Sequence, residues 1–404
     1  MSTSILYHGF GLRGVEYERL GCEDGALVLG VRLPADQIRC PACGSADVIG
    51  RGGKERRLRA PGIGGKRVFV DVTAPRVECH VCGAVRQVKL EFAGPKRRLT
   101  RAMERYVLEL SRLTTIDDVA QHLHLSWDTV KDLQAEHLRR RFSKPKLKRL
   151  TVLGIDEIAV GKGHSYLTLV LDMKSGAVVF VGDGKGADAL GPFWKRLRAS
   201  HAKIEAVAMD MSAAYIGAVR EALPKAAIVF DRFHVMKLMN QAVDTVRRSL
   251  QNSQEDEAER KTVKGCRWLL LKNIENLDTE RDEQKRLQAA IEPHQPLCLA
   301  WLLKEELRMF WQQESREHAA AFLESWIGLA EASGIEPLEK MAKTLLKHWD
   351  GLLTWYDYPI SNGPLEGTNN KIQTMKRQAY GFRDREFYKL KILGIHEAKY
   401  ALVG

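Results

Sequence analysis

LTVLGIDEIAVGKGHSYLTLVLDMKSGAVVFVGDG, residues 150–184, carries the pattern on which the architecture turns. The first run, LTVLGIDEIAV, reads as an apolar strand ending in acids, Asp156 and Glu157. The remainder reads as a hairpin, because Lys174-Ser175-Gly176 separates two apolar runs of strand length. Working downstream, ADALGPFWKRLRAS (187–200) fits a helix and IEAVAMDMSAAY (204–215) a buried strand ending in Asp210. IGAVREAL (216–223) fits a short helix, and AAIVFDRFHVMKL (226–238) a buried strand ending in Asp231 and running into a helix. Strands alternating with helices predict an α/β sheet. In such sheets ligand and catalytic groups gather at the carboxyl ends of strands. Asp156, Asp210 and Asp231 are expected at three such ends. One aspartate alone reads as a turn or cap residue; three at equivalent positions point to a metal site built from oxygen ligands. Glu157 is expected to face away from Asp156, since side chains alternate along a strand.

Working upstream, the chemistry changes. The 404-residue chain holds 63 Lys and Arg against 51 Asp and Glu, a net charge of +12. Residues 1–150 hold 28 basic and 17 acidic residues, so +11 of that excess lies there, and the other 254 residues are near neutral at 35 against 34. A basic front half on a neutral back half predicts a module that anchors a polyanion, nucleic acid first, followed by a module with another task. The opening MSTSILYHGFGLRG lacks the layout of a signal peptide, and no run approaches the ~18 apolar residues of a membrane helix. A cytoplasmic, nucleoid-associated protein is expected, with its seven cysteines reduced.

Four of those cysteines pair up as CPACG (Cys40, Cys43) and CHVCG (Cys79, Cys82). Two such knuckles supply the four sulfurs of a closed, tetrahedral structural Zn2+ site. Between them lie the basic RGGKERRLR and the strand-like KRVFVDVTAP. Cys22, Cys266 and Cys298 lack such partners and read as apolar fillers.

Residues 99–142 read as three helices. Met103, Val107, Leu110 and Leu113 define the first, TIDDVAQHL the second, and SWDTVKDLQAEHLRRR the third, with Ser126 as its N-cap and a short break at His124-Leu125. This is the spacing of a helix-turn-helix. Its third helix would enter the major groove with Trp127, Asp128, Thr129, Lys131 and Asp132 near its leading end. Arg139, Arg140 and Arg141, in the run RRRFSKPKLKRL, are suited to phosphate contacts.

From about 240 to 355 the chain reads as helical and polar, with six of the eight tryptophans: Trp268, Trp301, Trp311, Trp326, Trp349 and Trp355. Their simplest role is an aromatic-rich core. A sharper one is that Trp349 or Trp355 stacks on an unpaired base of bound nucleic acid. SNGPLEGTNNKIQTMKR (361–377) then opens a final helix at Gly363-Pro364, with Glu366 in its first turn and Asn370 one turn later on the same face.

The two-pair cysteine ribbon, the helix-turn-helix, GIDE, AMDMSAAY, DRFHVMKLMN and SNGPLEGTNNKI occur in an order that resembles the ISL group of bacterial insertion-sequence transposases, over nearly the whole chain. The resemblance implies a multidomain α/β protein, whose ribonuclease-H-like mixed sheet is interrupted by an all-helical insertion before the last catalytic helix. It implies a DDE triad at Asp156, Asp210 and Glu366, and an accessory pair at Asp231 and His234. Expected domains are a zinc ribbon (1–95), a helix-turn-helix with basic linker (96–150), the first part of the core (151–250), the helical insertion (251–355) and the C-terminal helices of the core (356–404).

The chemistry expected is metal-dependent DNA strand cleavage and strand transfer at terminal inverted repeats. Two Mg2+ ions, or Mn2+, would be held by the triad. Asp156 would bridge them, Asp210 would bind one and Glu366 the other. Asn362, Asn369, Lys371, Lys376 and Arg377 would hold the DNA backbone. Expected partners are double-stranded DNA, both terminal repeats and target, and a second copy of the chain in a homodimer on DNA, with no membrane. A nuclease or resolvase without strand transfer uses the same metal chemistry. A zinc-ribbon and helix-turn-helix regulator leaves Glu366 and the strand-end acids without a purpose.

Overall fold

A computed structural model describes residues 5–161, 165–361, 363–400 and 402–403. They form two compact units, Met1–His137 and Leu138–Gly404.

The first unit contains a five-stranded sheet of β1 (Glu16–Glu23), β2 (Ala26–Arg32), β3 (Val48–Ile63), β4 (Lys66–Cys79) and β5 (Val85–Gln87). The order is β1-β2-β4-β3, with β5 also pairing with β4. Leu29, Val31, Leu58, Val68, Val70, Val72, Leu90 and Phe92 form its core. The basic RGGKERRLR, which carries no apolar alternation, is part of β3. Pairing with the strongly alternating β4 imposes the extended form on it: Arg57 lies opposite Asp71 and meets it in a bidentate ion pair with both contacts at 2.8 Å. Cross-strand charge pairs of this kind stabilise a sheet where propensity does not.

The helix-turn-helix follows, with α1 (Arg101–Leu110), α2 (Ile116–Leu123) and α3 (Trp127–Phe142). Each start is capped. Thr100 accepts from the Met103 N–H, and Thr115 and Asp118 form a capping box. Ser126 Oγ accepts from the Thr129 N–H at 3.2 Å. The turn between α2 and α3 is carried by His124 at φ 51°. Met103, Val107, Val119, Leu123, Val130 and Leu133 are buried between the helices. Leu113, expected within the first helix, lies past its end and is 83% exposed.

The second unit is built on a five-stranded mixed sheet. It comprises β6 (Val152–Ala159), β7 (Tyr166–Asp172), β8 (Ala177–Asp183), β9 (Ala206–Met209) and β10 (Ala227–Phe230), in the order β10-β9-β6-β7-β8. β6, β7 and β8 form an antiparallel meander, whereas β9 and β10 run parallel to β6. This is the ribonuclease-H-like mixed sheet implied by the resemblance. In the hairpin turn, the Asp172 carboxylate accepts from the backbone N–H groups of Lys174 and Ser175, and Gly176 takes φ 72°.

Helices α4 (Ala187–Ser200) and α5 (Ala213–Ala222) connect the parallel strands, and α6 (Arg232–Ser253) leaves β10. The helices that follow are α7 (Glu257–Gly265), α8 (Arg267–Leu271), α9 (Glu283–Ile291), α10 (Gln295–Leu307), α11 (Arg316–Ala332), α12 (Glu336–Lys347), α13 (Trp349–Asp357), α14 (Gly363–Gln378) and α15 (Arg385–Leu393).

The two faces of β6 bury against different partners. Leu153 and Ile155 join one continuous core with α4–α6 and α10–α13. Ile158, on the opposite face, packs with Leu365 and Ile372 of α14 and Tyr388 and Ile392 of α15. Leu365 and Ile372 are 2% and 0% exposed, worth roughly 1.5–3 kcal/mol each. Gly154 leaves room here, since a Cβ would lie 2.4 Å from Met173 Sδ and 3.3 Å from the Leu365 methyl groups. Within α14, Thr368 Oγ1 donates to the Pro364 carbonyl and lies 2.9 Å from Nε2 of the buried His396. α14 is therefore pinned to the sheet face that carries Asp156.

Candidate active site and DNA-binding elements

The register of the parallel strands brings the three aspartates level. Gly154 pairs with Ala208, and Ala208 with Val229, so two residues further along each strand stand Asp156, Asp210 and Asp231. Asp156 is not at the end of its strand, as expected, but inside it. β6 continues to Ala159 because its antiparallel partner β7 keeps pairing, Ile158 with Leu167 and Ala159 with Tyr166, after β9 has stopped. Asp156 therefore lies just past the last parallel pairing, at the level where the parallel strands end.

Backbone and side-chain donors hold each carboxylate. Asp156 Oδ1 accepts from the Glu157 N–H at 2.8 Å, and its Oδ2 accepts from Asn369 Nδ2 at 2.6 Å. Burial raises the Asp156 carboxyl above the usual range, against the lowering effect of those two donors and of His234. Asp210 Oδ1 accepts from the Ser212 N–H at 3.0 Å. Asp231 is 5% exposed and caps α6, accepting from the Phe233 N–H at 2.6 Å, while its Oδ2 lies 3.0 Å from His234 Nδ1. Burial pulls the His234 imidazole down, but Asp231 together with the charges of Asp156 and Asp210 holds it above its ordinary value. Glu157 points the other way, toward the Tyr215 hydroxyl, which also meets Thr168 Oγ1 at 2.9 Å and the Gly186 N–H at 3.1 Å.

Glu366 is exposed in the first turn of α14. It stands three residues before Asn369, and so on the same helical face. It lines a cleft of about 470 Å³ whose other walls come from α6, α10 and α13. Asn369, expected at the DNA backbone, donates its side-chain N–H to Asp156, because α14 packs directly on β6. The spacing from Glu366 was the signal in the sequence that could have placed it there. Lys371 and Arg377 are exposed on α14 and Lys376 is half-buried; Asn362 lies outside the described residues.

The tryptophans divide. Trp301, Trp311 and Trp326 are 9%, 6% and 1% exposed and belong to the core, whereas Trp268 is 66% exposed with Arg267 over its ring. Trp349 and Trp355 pack partly buried against the core, and Trp355 lines the cleft beside Glu366.

The four cysteines of the ribbon converge. Their sulfurs all lie within 4.8 Å of one another, with Cys40 to Cys82 at 3.6 Å and Cys43 to Cys79 at 3.5 Å. Sulfurs 2.3 Å from a tetrahedral Zn2+ stand about 3.8 Å apart. The thiol chemistry agrees. Backbone N–H groups of Cys43 and Ala42 bring Cys40 down to about 6, while Cys43, despite the Ser45 N–H, is pushed up to about 12 by its sulfur neighbours Cys79 and Cys82. Four thiolates this close need a cation, and a structural zinc fits. Among the described residues this is the sole group of three or more His, Cys, Asp or Glu ligand atoms so tightly gathered.

At the leading end of α3, Trp127 is 46% exposed with Lys131 Nζ 5.5 Å from its ring, and Thr129 meets the capping Ser126 at 2.8 Å. Arg139 and Arg140 are exposed, and Arg141 pairs with Glu397. Among the described residues no helix is long and apolar enough to cross a membrane.

Comparison with known proteins accounts for all three parts. Residues 36–82 match the zinc-finger of transposase IS204/IS1001/IS1096/IS1165, residues 88–138 the helix-turn-helix domain of transposase family ISL3, and residues 153–392 the ISL3 transposase domain of DDE type. The chain is 33% identical over 391 residues to the transposase for insertion sequence element IS1001 of Bordetella parapertussis, covering 96% of this chain and 95% of that one. It is 29% identical to the transposase for insertion sequence element IS1557 of Mycobacterium tuberculosis, over 92% of this chain and 89% of that one. The Drosophila P element transposase strand transfer complex aligns with a TM-score of 0.36 at 12% identity, over 74% of this chain and 92% of that one. A cysteine ribbon, a helix-turn-helix and a sheet with level aspartates, each matched in order along the chain, make this protein a member of the ISL3 family of DDE DNA transposases.

Proposed function

We propose that Asp156, Asp210 and Glu366 are the catalytic carboxylates of this transposase, and that they hold two Mg2+ ions, with Mn2+ able to replace them. The observation that carries this reading is the level placement of Asp156 and Asp210 at the ends of the parallel pairings, with α14 fastened to Asp156 through Asn369. When bound, such ions lower the cost of activating a water or 3′-hydroxyl and of stabilising the leaving oxygen on a phosphodiester. Asp156, level with Asp210 in the sheet and held by Asn369 of the helix that bears Glu366, would ligate the metal ions together with those two carboxylates. Glu366, exposed in the first turn of α14, would supply the third carboxylate. Asn369 holds the Asp156 carboxylate in one orientation, and Asp231 holds His234 beside both aspartates as an accessory pair.

Lys371, Lys376, Arg377 and Asn362 steady the backbone of the cleaved DNA. Trp127, Thr129 and Lys131 read the terminal inverted repeats in the major groove, with Arg139, Arg140 and Arg141 along the phosphates. Two copies of the chain pair on DNA, one for each element end. The protein works in the cytoplasm at the nucleoid, cutting element ends and joining them to target DNA.

The test is Glu366→Gln, which keeps size and removes charge. Folding and terminal-repeat binding stay near wild type, while cleavage and joining fall by several orders of magnitude, as expected when a group essential to charge stabilisation is lost. Asp156→Asn and Asp210→Asn behave alike, and any pair costs little more than one, because the three act as a unit. Normal cutting by Glu366→Gln under Mg2+ overturns the triad and makes Asp231 the third ligand. Joined products from linear DNA bearing the element's ends separate a transposase from a nuclease that only cuts.

A further inference from the structure

The cleft beside Glu366 carries a second assignment. It is about 470 Å³, within the range of pockets that hold small ligands and far too small for a duplex. Its walls are chemically mixed. Trp355, Phe233 and Ile360 are apolar, Asn240 brings an amide whose Oδ1 has no hydrogen-bond partner among the described residues, and Arg232 brings a guanidinium.

The cations lining it are not equivalent. Lys304 is 1% exposed and spent on the Leu270 and Lys272 carbonyls and on Glu305; Arg308 is bridged by Glu275 and Glu305. Arg232 lies over the Trp311 ring at 5.3 Å and pairs with no carboxylate among the described residues. Its charge is the one left for an incoming anion. Phe233, the next residue, is 49% exposed and stands edge-to-face with His234 at 5.4 Å, so part of its ring is open to the cleft.

We infer that this cleft receives one nucleotide of the DNA end, unpaired from its complement, with the base against Trp355 and Phe233 and the adjoining phosphate on Arg232. Aromatic faces take any base by stacking, and a guanidinium suits a phosphate. The assignment rests on the reading of Glu366 as a catalytic carboxylate, since that places the cleft within one nucleotide of the scissile phosphate. Taking a nucleotide out of the duplex also bends the strand toward the carboxylates that must reach it. The geometry thus joins recognition of the DNA end to its cleavage.

The experiment uses the full chain with its zinc, in buffer without Mg2+, and duplexes of the element end carrying a single mismatch at each position around the cut. Opening a mismatched pair costs less than opening a matched one, so one mismatch position should tighten binding by about tenfold. Arg232→Ala and Phe233→Ala should bring that ratio to about one, with melting temperatures near wild type, because both side chains are exposed at the start of α6. Trp355→Phe should keep the preference, and Trp355→Ala, where it still melts cooperatively, should lose it.

A ratio of one at every position in the wild type overturns the inference, as does a preference that survives both Arg232→Ala and Phe233→Ala. Cleavage is not read here, so the outcome is separate from that of the triad. A mismatch preference alongside normal cutting by Glu366→Gln would keep the unpaired nucleotide in the cleft but overturn the cleft's place beside the scissile phosphate.

Discussion

Asn369→Ala removes one hydrogen bond, and the consequence follows from its geometry. Asn369 Nδ2 stands 2.6 Å from Asp156 Oδ2, short enough for a bond strengthened by the carboxylate's charge. Bonds to charged groups are worth about 1.5–3 kcal/mol. Asp156 is half-buried rather than enclosed, so the low end, about 1.5 kcal/mol, is the expected loss of stability. In a unit of this size that lowers the melting temperature by about 3–6 °C. Cleavage should fall further, by about tenfold to a hundredfold, because a freed Asp156 leaves the orientation that the chemistry needs.

Asn369→Asp separates the two effects. A second carboxylate at the same place repels Asp156 in metal-free protein, so the variant melts below Asn369→Ala, and adding Mg2+ should recover part of the difference. Differential scanning calorimetry with and without Mg2+, beside single-turnover cleavage of a terminal-repeat duplex, reads both. An Asn369→Ala protein that melts and cuts like wild type would refute the argument that α14 acts on Asp156 through this side chain.

Other outcomes follow from the same structure. Stripping zinc with a chelator, or Cys79→Ser, should unfold the ribbon and abolish terminal-repeat binding in a mobility-shift assay, since four clustered sulfurs cannot coexist as thiolates without a cation. His396, 8% exposed, is brought down to about 4 by burial and by the charges of Lys371 and Lys399. The unfolded chain therefore takes up that proton first, near pH 6.5, and stability present above that pH is lost as pH falls toward 4. At pH 5 the loss is about 2 kcal/mol. Melts at pH 7.5 and 5 should show this, and His396→Gln should flatten the difference. Gly351→Ala would place a Cβ 2.2 Å from the Phe230 ring, so α13 must move off β10, at a cost of about 1–3 kcal/mol in a denaturant melt.

How much of this was legible in the sequence depends on which interactions a residue uses. The hairpin at 166–183, α4, the helix-turn-helix and the cysteine site were readable because their signals are local. Alternation, caps, glycine turns and C-x-x-C spacing each act within a few residues. Order along the chain, through the run of motifs from CPACG to SNGPLEGTNN, was enough to name the family.

What folding in three dimensions decided was everything set by pairing across the chain. β3 is a strand because β4 lies beside it, although its own residues are basic and unpatterned. Asp156 lies within β6 because β7 extends the strand past the point where β9 ends. Asn369 meets Asp156, a partner 213 residues away in sequence, since Leu365 and Ile372 bury against the sheet and carry the amide inward. Arg232 stands without a carboxylate because Glu275 and Glu305 are taken by Arg308. These outcomes depend on which surfaces meet after collapse, a property of residues far apart in sequence, and no window of a few residues contains it.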